Sequence, residues 1–248
     1  MYCASLSGMH RSDYLDELEV QMSTLLFRLV SWVRTLGSRI LHIMRSYILA
    51  RTFSTHIVQN QSLVNYLFHQ IGGTIGLIKK DAWFRYRFFG EYLQKHSLLG
   101  EIQSMLCVGC RNAYEIDYFT SLGVSKVVGI DLVSVDSRIL RMDMHDMNFP
   151  DSHFDAVYAG DSFEHAYDVD LLAREFVRVV VPGGLIIMSV PANEETDHVD
   201  RLFVSKADDI YDIFGSACDK VILEDDFCDD SGITRALRLI FRTRSVEA

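Results

Sequence analysis

Proline is scarce, with 3 in 248 residues, and no low-complexity tract occurs. No stretch therefore reads as an extended or disordered linker. Cysteine is scarce too: Cys3, Cys107, Cys110, Cys218 and Cys228 are too few and too scattered for a disulfide framework. A cytoplasmic setting is the expectation. The start lacks the order of basic segment, apolar core and small-residue cleavage site that marks a secretory leader. No uninterrupted apolar run reaches the ~18 residues that a membrane-spanning helix needs. No internal repeat is visible, and Cys107-x-x-Cys110 has no second pair, so packing of a strand and loop accounts for it better than a metal or redox centre. No metal is expected. Basic residues thin out after residue 100: residues 1–100 hold 11 Lys and Arg against 6 Asp and Glu, residues 101–248 hold 13 against 28. The formal charge is −10. An acidic main domain argues against broad nucleic-acid binding, which depends on neutralising phosphates.

What is present divides into residues 1–100, a helical extension, and 101–248, an α/β domain. Residues 12–53 read as one long amphipathic helix or two in tandem. Met22, Leu26, Leu29, Val33, Leu36, Ile40, Ile43 and Tyr47 recur at spacings of four and three, a heptad seam. Arg28, Arg34, Arg39 and Arg45 flank it. Such a seam packs against the body, joins a second copy as a homo-oligomer, or lies on an anionic membrane surface through residues 20–50. A shorter helix over 56–71 should break at Gly72-Gly73 and Gly76. An aromatic-rich helix follows over Asp81–Lys95.

Beyond Gly100 strands and helices alternate. Strands are expected at Ser104–Val108, Lys126–Asp131, Arg138–Met142, Phe154–Ala159, Leu185–Val190, Lys220–Glu224 and Ala236–Phe241. Helices are expected near Ala113–Leu122, Val169–Val180 and Ser205–Phe214. The last two strands suit an antiparallel hairpin at the sheet edge, turned through Asp225–Gly232.

The chemistry-bearing residues sit at the predicted carboxyl ends of strands. Met105-Leu106-Cys107-Val108-Gly109-Cys110-Arg111-Asn112-Ala113 runs from a strand through a loop into a helix start, where backbone N–H groups meet ligands. Val127-Val128-Gly129-Ile130-Asp131 ends in an acid 22 residues after Gly109, the place where nucleotide-binding folds hold ribose hydroxyls. Then come Met142-Asp143-Met144-His145-Asp146, Phe154-Asp155-Ala156-Val157 leading to Asp161-Ser162-Phe163-Glu164-His165, and Pro182-Gly183-Gly184 before another strand.

This ordered set resembles the class I S-adenosylmethionine (SAM)-dependent methyltransferases, in the type 11 or ubiquinone-biosynthesis-like group. The resemblance implies a Rossmann-like seven-stranded sheet, SAM as cofactor, and methyl transfer to an oxygen, or a nitrogen, of a small-molecule or lipid-linked acceptor. It places Gly109, Cys110 and Arg111 beside the methionine half of SAM, Asp131 and Leu132 at the ribose, Asp143, Met144 and His145 at the adenine, and Asp161 and Ser162 near the sulfonium. Pro182-Gly183-Gly184 would turn the chain into the fifth strand. The acceptor pocket would form from the N-terminal helices, the Asp161–Asp168 loop and the Pro191–Asp200 loop.

The chain departs from the family pattern in two ways. Cys107, Arg111 and Ala113 stand where an acid and further glycines are usual, and Glu115 is the nearest acid on the following helix. Only 11 residues separate Asp131 from Asp143, which leaves little room for the usual helix there and opens the adenine side. His165 is the candidate catalytic residue, as a general base; it can equally cap the next helix with Glu164. His198 is a further candidate on the acceptor side. The altered loop also admits a different reading, a SAM-binding scaffold that transfers nothing. A third is an RNA methyltransferase that uses the basic N-terminal face.

Overall fold

The structure, a computed structural model, describes residues 61–77, 79–134, 136–192, 202, 204–228 and 235–245. These all fall in the second of two compact units, Thr52–Ala248. The heptad seam, with its membrane and self-association readings, and His198 lie outside the described residues.

Seven strands form one sheet: β1 Ser104–Val108, β2 Lys126–Asp131, β3 Ile139–Arg141, β4 Phe154–Gly160, β5 Val180–Pro191, β6 Cys218–Cys228 and β7 Arg235–Thr243. Their order is β3-β2-β1-β4-β5-β7-β6. The first five run parallel, while β7 is antiparallel to both β5 and β6. Five helices are described: α1 Gln61–Leu77, α2 Trp83–Lys95, α3 Tyr114–Ser121, α4 Val169–Val179 and α5 Ala207–Phe214. This is the expected Rossmann-like, class I architecture.

Strand alternation sends successive side chains to opposite faces of the sheet. Leu106, Val108, Val157, Ile186 and Met188 pack on one face with Leu172 and Phe176 of α4 and Phe214 of α5. Met105, Cys107, Ala156, Tyr158 and Ile187 pack on the other with Phe89 and Leu93 of α2 and Ile116 and Phe119 of α3. Each fully buried large apolar side chain contributes about 1.5–3 kcal/mol, so both helix layers are held by area burial.

Three sequence expectations need correction. The glycines at 72, 73 and 76 do not break α1, which runs on to Leu77. Glycine costs a helix about 1 kcal/mol per position, but Ile71 is fully buried and Tyr66 Oη donates to His165 O at 2.8 Å, so docking holds the helix through them. β5 starts at Val180 rather than Leu185: Phe154 pairs with Val180 and Ala156 with Leu185, so Val181–Gly184 bulge out of register, with Gly183 at φ 79°. β6 runs to Cys228, paired with Arg235, so the turn spans fewer residues than Asp225–Gly232. Between β2 and β3 no helix occurs among the described residues. The short connection behaves as its length requires.

Candidate active site

A largely apolar cleft of about 870 Å³, partly open to solvent, lies at the carboxyl ends of β1, β2 and β4. Its base is the turn after β1. Gly109 adopts φ 72°, and a Cβ there would sit 2.6 Å from Ser162 Cβ. Only glycine lets the loops after β1 and β4 approach so closely. Gly109 N–H donates to Ile130 O at 2.9 Å, and Ser162 Oγ donates to Val108 O at 3.0 Å, which locks the two loops together.

Asp131 ends β2 and is buried. Its Oδ2 accepts from Arg111 N–H at 2.8 Å and its Oδ1 from Val133 N–H at 3.1 Å. Burial pushes its carboxyl upward, against the pull of those N–H groups and the Arg111 charge. The carboxylate thus ties both cleft loops to β2 and keeps lone pairs for hydroxyl donors.

Asp143 and His145 are buried after β3. Asp143 Oδ1 accepts from His145 N–H at 2.9 Å and lies 2.8 Å from His145 Nδ1; Asp143 Oδ2 accepts from Tyr167 Oη at 2.7 Å. The His145 and Tyr167 rings stack at 3.6 Å between centroids. The carboxylate fixes the ring with its proton on Nδ1, and Nε2 is shut from solvent with no hydrogen-bond partner. Burial, then the Asp143 charge, pushes the Tyr167 phenol well up.

Asp161, at the tip of β4, holds a left-handed φ of 49°. Arg85 of α2 pairs with it at 2.6 Å, and Ser189 Oγ donates to its other oxygen. His165 lies in a single 3-10 turn, Phe163–His165, with Nε2 3.9 Å from Glu164 Oε1 and its side chain 28% exposed. Tyr66 Oη of α1 donates to the His165 carbonyl at 2.8 Å.

The cleft collects Gly109, Arg111, Asp131, Leu132, Asp143, Met144, His145, Asp161, Ser162 and His165 from the sequence-derived set. Cys110 is the exception, with Sγ turned inward, 3.7 Å from Ile130 O. Burial pushes the thiols of Cys107 and Cys110 well up, and neither forms a disulfide. Among the described residues no cluster of metal-ligating side chains occurs. Sequence reasoning named the N-terminal helices and the Asp161–Asp168 loop as pocket walls without naming their residues, which are Leu67, Gln70, Thr74 and Leu77 of α1 and Tyr167 of the loop. The α1 spacing of three, four and three was a legible helix face. Tyr167 gave no signal of its own.

The donor set fits SAM. Asp131 offers a carboxylate to a ribose, Leu132 and Met144 offer apolar walls to a flat ring, and the Gly109 turn leaves its backbone uncovered for a ligand to approach. Residues 106–188 match the family model described as methyltransferase domain. A probable SAM-dependent methyltransferase of Mycolicibacterium smegmatis is 28% identical over 126 residues, covering 47% of this chain and 48% of that protein. A sterol 24-C-methyltransferase of Neurospora crassa is 37% identical over 73 residues, 29% of this chain and 18% of that one. The chain thus spans about half the length, or less, of these curated relatives. Its fold is similar to that of the Burkholderia thailandensis 1,6-didemethyltoxoflavin-N1-methyltransferase, with TM-score 0.57 and 14% identity, covering 71% of this chain and 90% of that one. Residues 106–188 thus resemble a methyltransferase domain, set in a fold similar to that of the Burkholderia enzyme. Among the described residues no helix is long and apolar enough to cross a membrane.

Proposed function

We propose that the protein transfers the methyl group of SAM to an oxygen, or a nitrogen, of a small-molecule or lipid-linked acceptor. The observation that carries this is the placement of the Asp131 carboxylate, the Gly109 turn and the Asp143–His145–Tyr167 cluster around one cleft in a methyltransferase domain. When bound, SAM supplies an electrophilic methyl on sulfur. The protein's part is to hold that methyl in line with the acceptor and to exclude water; positioning of this kind lowers a barrier by several kcal/mol. Asp131 takes the ribose, Leu132 and Met144 enclose the adenine, and Asp143 sets the His145 ring against it. The largely apolar cleft and the α1 wall suit an acceptor with apolar surface.

His165 is the proposed general base, because its partly exposed ring borders the cleft beside Ser162. His165→Gln should leave SAM affinity intact and lower turnover by roughly 10²–10⁴-fold. Methyl release from labelled SAM over an acceptor panel, followed by mass spectrometry, tests the activity. Binding of SAM without turnover on any acceptor favours the scaffold reading, which the left-handed, non-glycine Arg111 motivates.

A further inference from the structure

Three buried polar atoms near the ends of β1 and β4 have no hydrogen-bond partner: Arg85 Nε, Glu115 Oε2 and Tyr158 Oη. They come from three elements on one face of the sheet. Tyr158 pairs in register with Cys107, both are fully buried, and the Tyr158 hydroxyl lies 2.3 Å from where a Gly160 Cβ would be. That puts the hydroxyl directly beneath the strand tip that carries Asp161. Arg85 reaches the same tip from α2 through its pair with Asp161, a cleft residue. Glu115 stands in the first turn of α3, within electrostatic range of Tyr158, Cys107, Arg85 and Arg111. A buried polar group without a partner costs about 1–3 kcal/mol, so three within electrostatic range of one another mark a place built for something else.

We propose that Glu115, Tyr158 and Arg85 form the subsite for the charged amino-acid tail of SAM, with Glu115 as counter-ion to its ammonium. This rests on the SAM-binding reading above. The three atoms match a zwitterion: a carboxylate accepts from an ammonium, the tyrosine hydroxyl accepts or donates, and the guanidinium Nε donates to a carboxylate. The strand acid usual in this domain is replaced by Cys107, whose thiol is neutral because burial pushes its ionisation well up. The counter-ion has moved from β1 to the helix that follows it.

Burial pushes the Glu115 carboxyl up to about 7 in the free protein, partly offset by its own backbone N–H and by Arg111 and Arg85. The other groups facing it are Asp81, Tyr86, Cys107, Cys110 and Tyr158. An arriving ammonium favours the ionised carboxylate, so tail binding should release a proton near neutral pH and weaken as the pH falls below about 7.

The test uses S-adenosylhomocysteine and 5′-methylthioadenosine, which share the adenosine and sulfur but differ in the tail. By calorimetry, Glu115→Gln should weaken S-adenosylhomocysteine by about 10–100-fold and leave methylthioadenosine unchanged. Tyr158→Phe should show the same selectivity at smaller size. Equal weakening of both ligands, or of neither, overturns the proposal. Should Glu115→Gln fail to fold, the wild type still decides. Calorimetry in buffers of different ionisation enthalpy near pH 7 should show extra proton release for S-adenosylhomocysteine alone, and equal release for both ligands refutes the subsite. A wild type that binds neither ligand removes the SAM-binding reading itself, whereas tight but tail-indifferent binding removes only this inference.

Discussion

At the amino edge of the sheet, the side chains of Asp155 and Arg178 close the loops they meet. Asp155 Oδ2 accepts from Gln103 N–H, Ser104 N–H and Ser104 Oγ, at 2.8–2.9 Å, and so joins β1 to β4. Arg178 of α4 donates to the carbonyls of Phe149 and Met147, both at 2.7 Å, and pairs with Glu175 and Asp151. At the carboxyl edge, Arg111 and Asp161 are held in left-handed backbone, and Arg85 Nε, Glu115 Oε2, His145 Nε2 and Tyr158 Oη are buried without partners. Ser97 and Ser152 share the left-handed conformation but occupy exposed turns. One edge is finished and the other is poised. Strain and unmet hydrogen-bonding capacity gather where a ligand can relieve them, and the satisfied edge carries the cost.

The largest way to break this comparison is at Asp131. Asp131→Ala removes the proposed ribose acceptor and frees Arg111 N–H and Val133 N–H together. S-adenosylhomocysteine affinity should fall by about 10–100-fold. Calorimetry on the folded variant checks this, and unchanged affinity would take Asp131 out of the site. The contrasting change is Arg178→Ala at the amino edge. It strands two carbonyls and the mostly buried Glu175, so stability should drop by about 2 kcal/mol with ligand affinity unmoved. Denaturant melts beside binding isotherms separate the two edges; a loss of affinity in Arg178→Ala would mean that they are coupled.

The sequence made most of this sheet legible. β1 and β2 fall on the expected residues, because Met105–Val108 and Val127–Ile130 are continuous apolar runs bounded by Gly109 and Asp131. The cleft residues were legible wherever a strand end placed them. Tyr167 was not, because its role comes from stacking on His145 across a loop, a tertiary contact with no local period. Cys110 was hidden for the same reason: it sits beside Gly109 in the loop after β1, but the turn aims its side chain at Ile130 O. The α1 glycines misled because propensity is weaker than docking, which Ile71 and the Tyr66–His165 hydrogen bond supply.

Glu115 sharpens the comparison through pH. Its folded ionisation, near 7, lies above the ordinary 4.5. A raised carboxyl means that the folded protein holds the proton more tightly than the unfolded chain. The stability contribution is then complete below about pH 4.5 and lost as the pH rises through about 7. Glu115→Gln keeps the uncharged form at every pH. Its ligand-free melting curve should match wild type at pH 4.5 and gain about 1–3 kcal/mol of stability by pH 8. A gain independent of pH would show that ionisation is not the source of the strain.

The smallest expected effect is at Arg111, and it tests whether the carboxyl-edge strain resides in the backbone. Its φ of 45° costs a residue with a Cβ about 1–2 kcal/mol. Glycine removes that cost but loses about 0.5–1 kcal/mol through the greater freedom of the unfolded chain. The Arg111 N–H that Asp131 accepts is retained in Arg111→Gly, since the donor is main-chain. The net change should therefore lie between zero and about 1 kcal/mol of stabilisation. Most surface truncations of a paired arginine move the other way. Differential melting of Arg111→Gly and Arg111→Ala isolates the backbone part, because both lose the side chain and only one regains an unstrained turn. Glycine should be the more stable of the pair. An alanine variant at least as stable as the glycine one would show that the turn is relaxed, and would move the stored strain from Arg111 to Asp161.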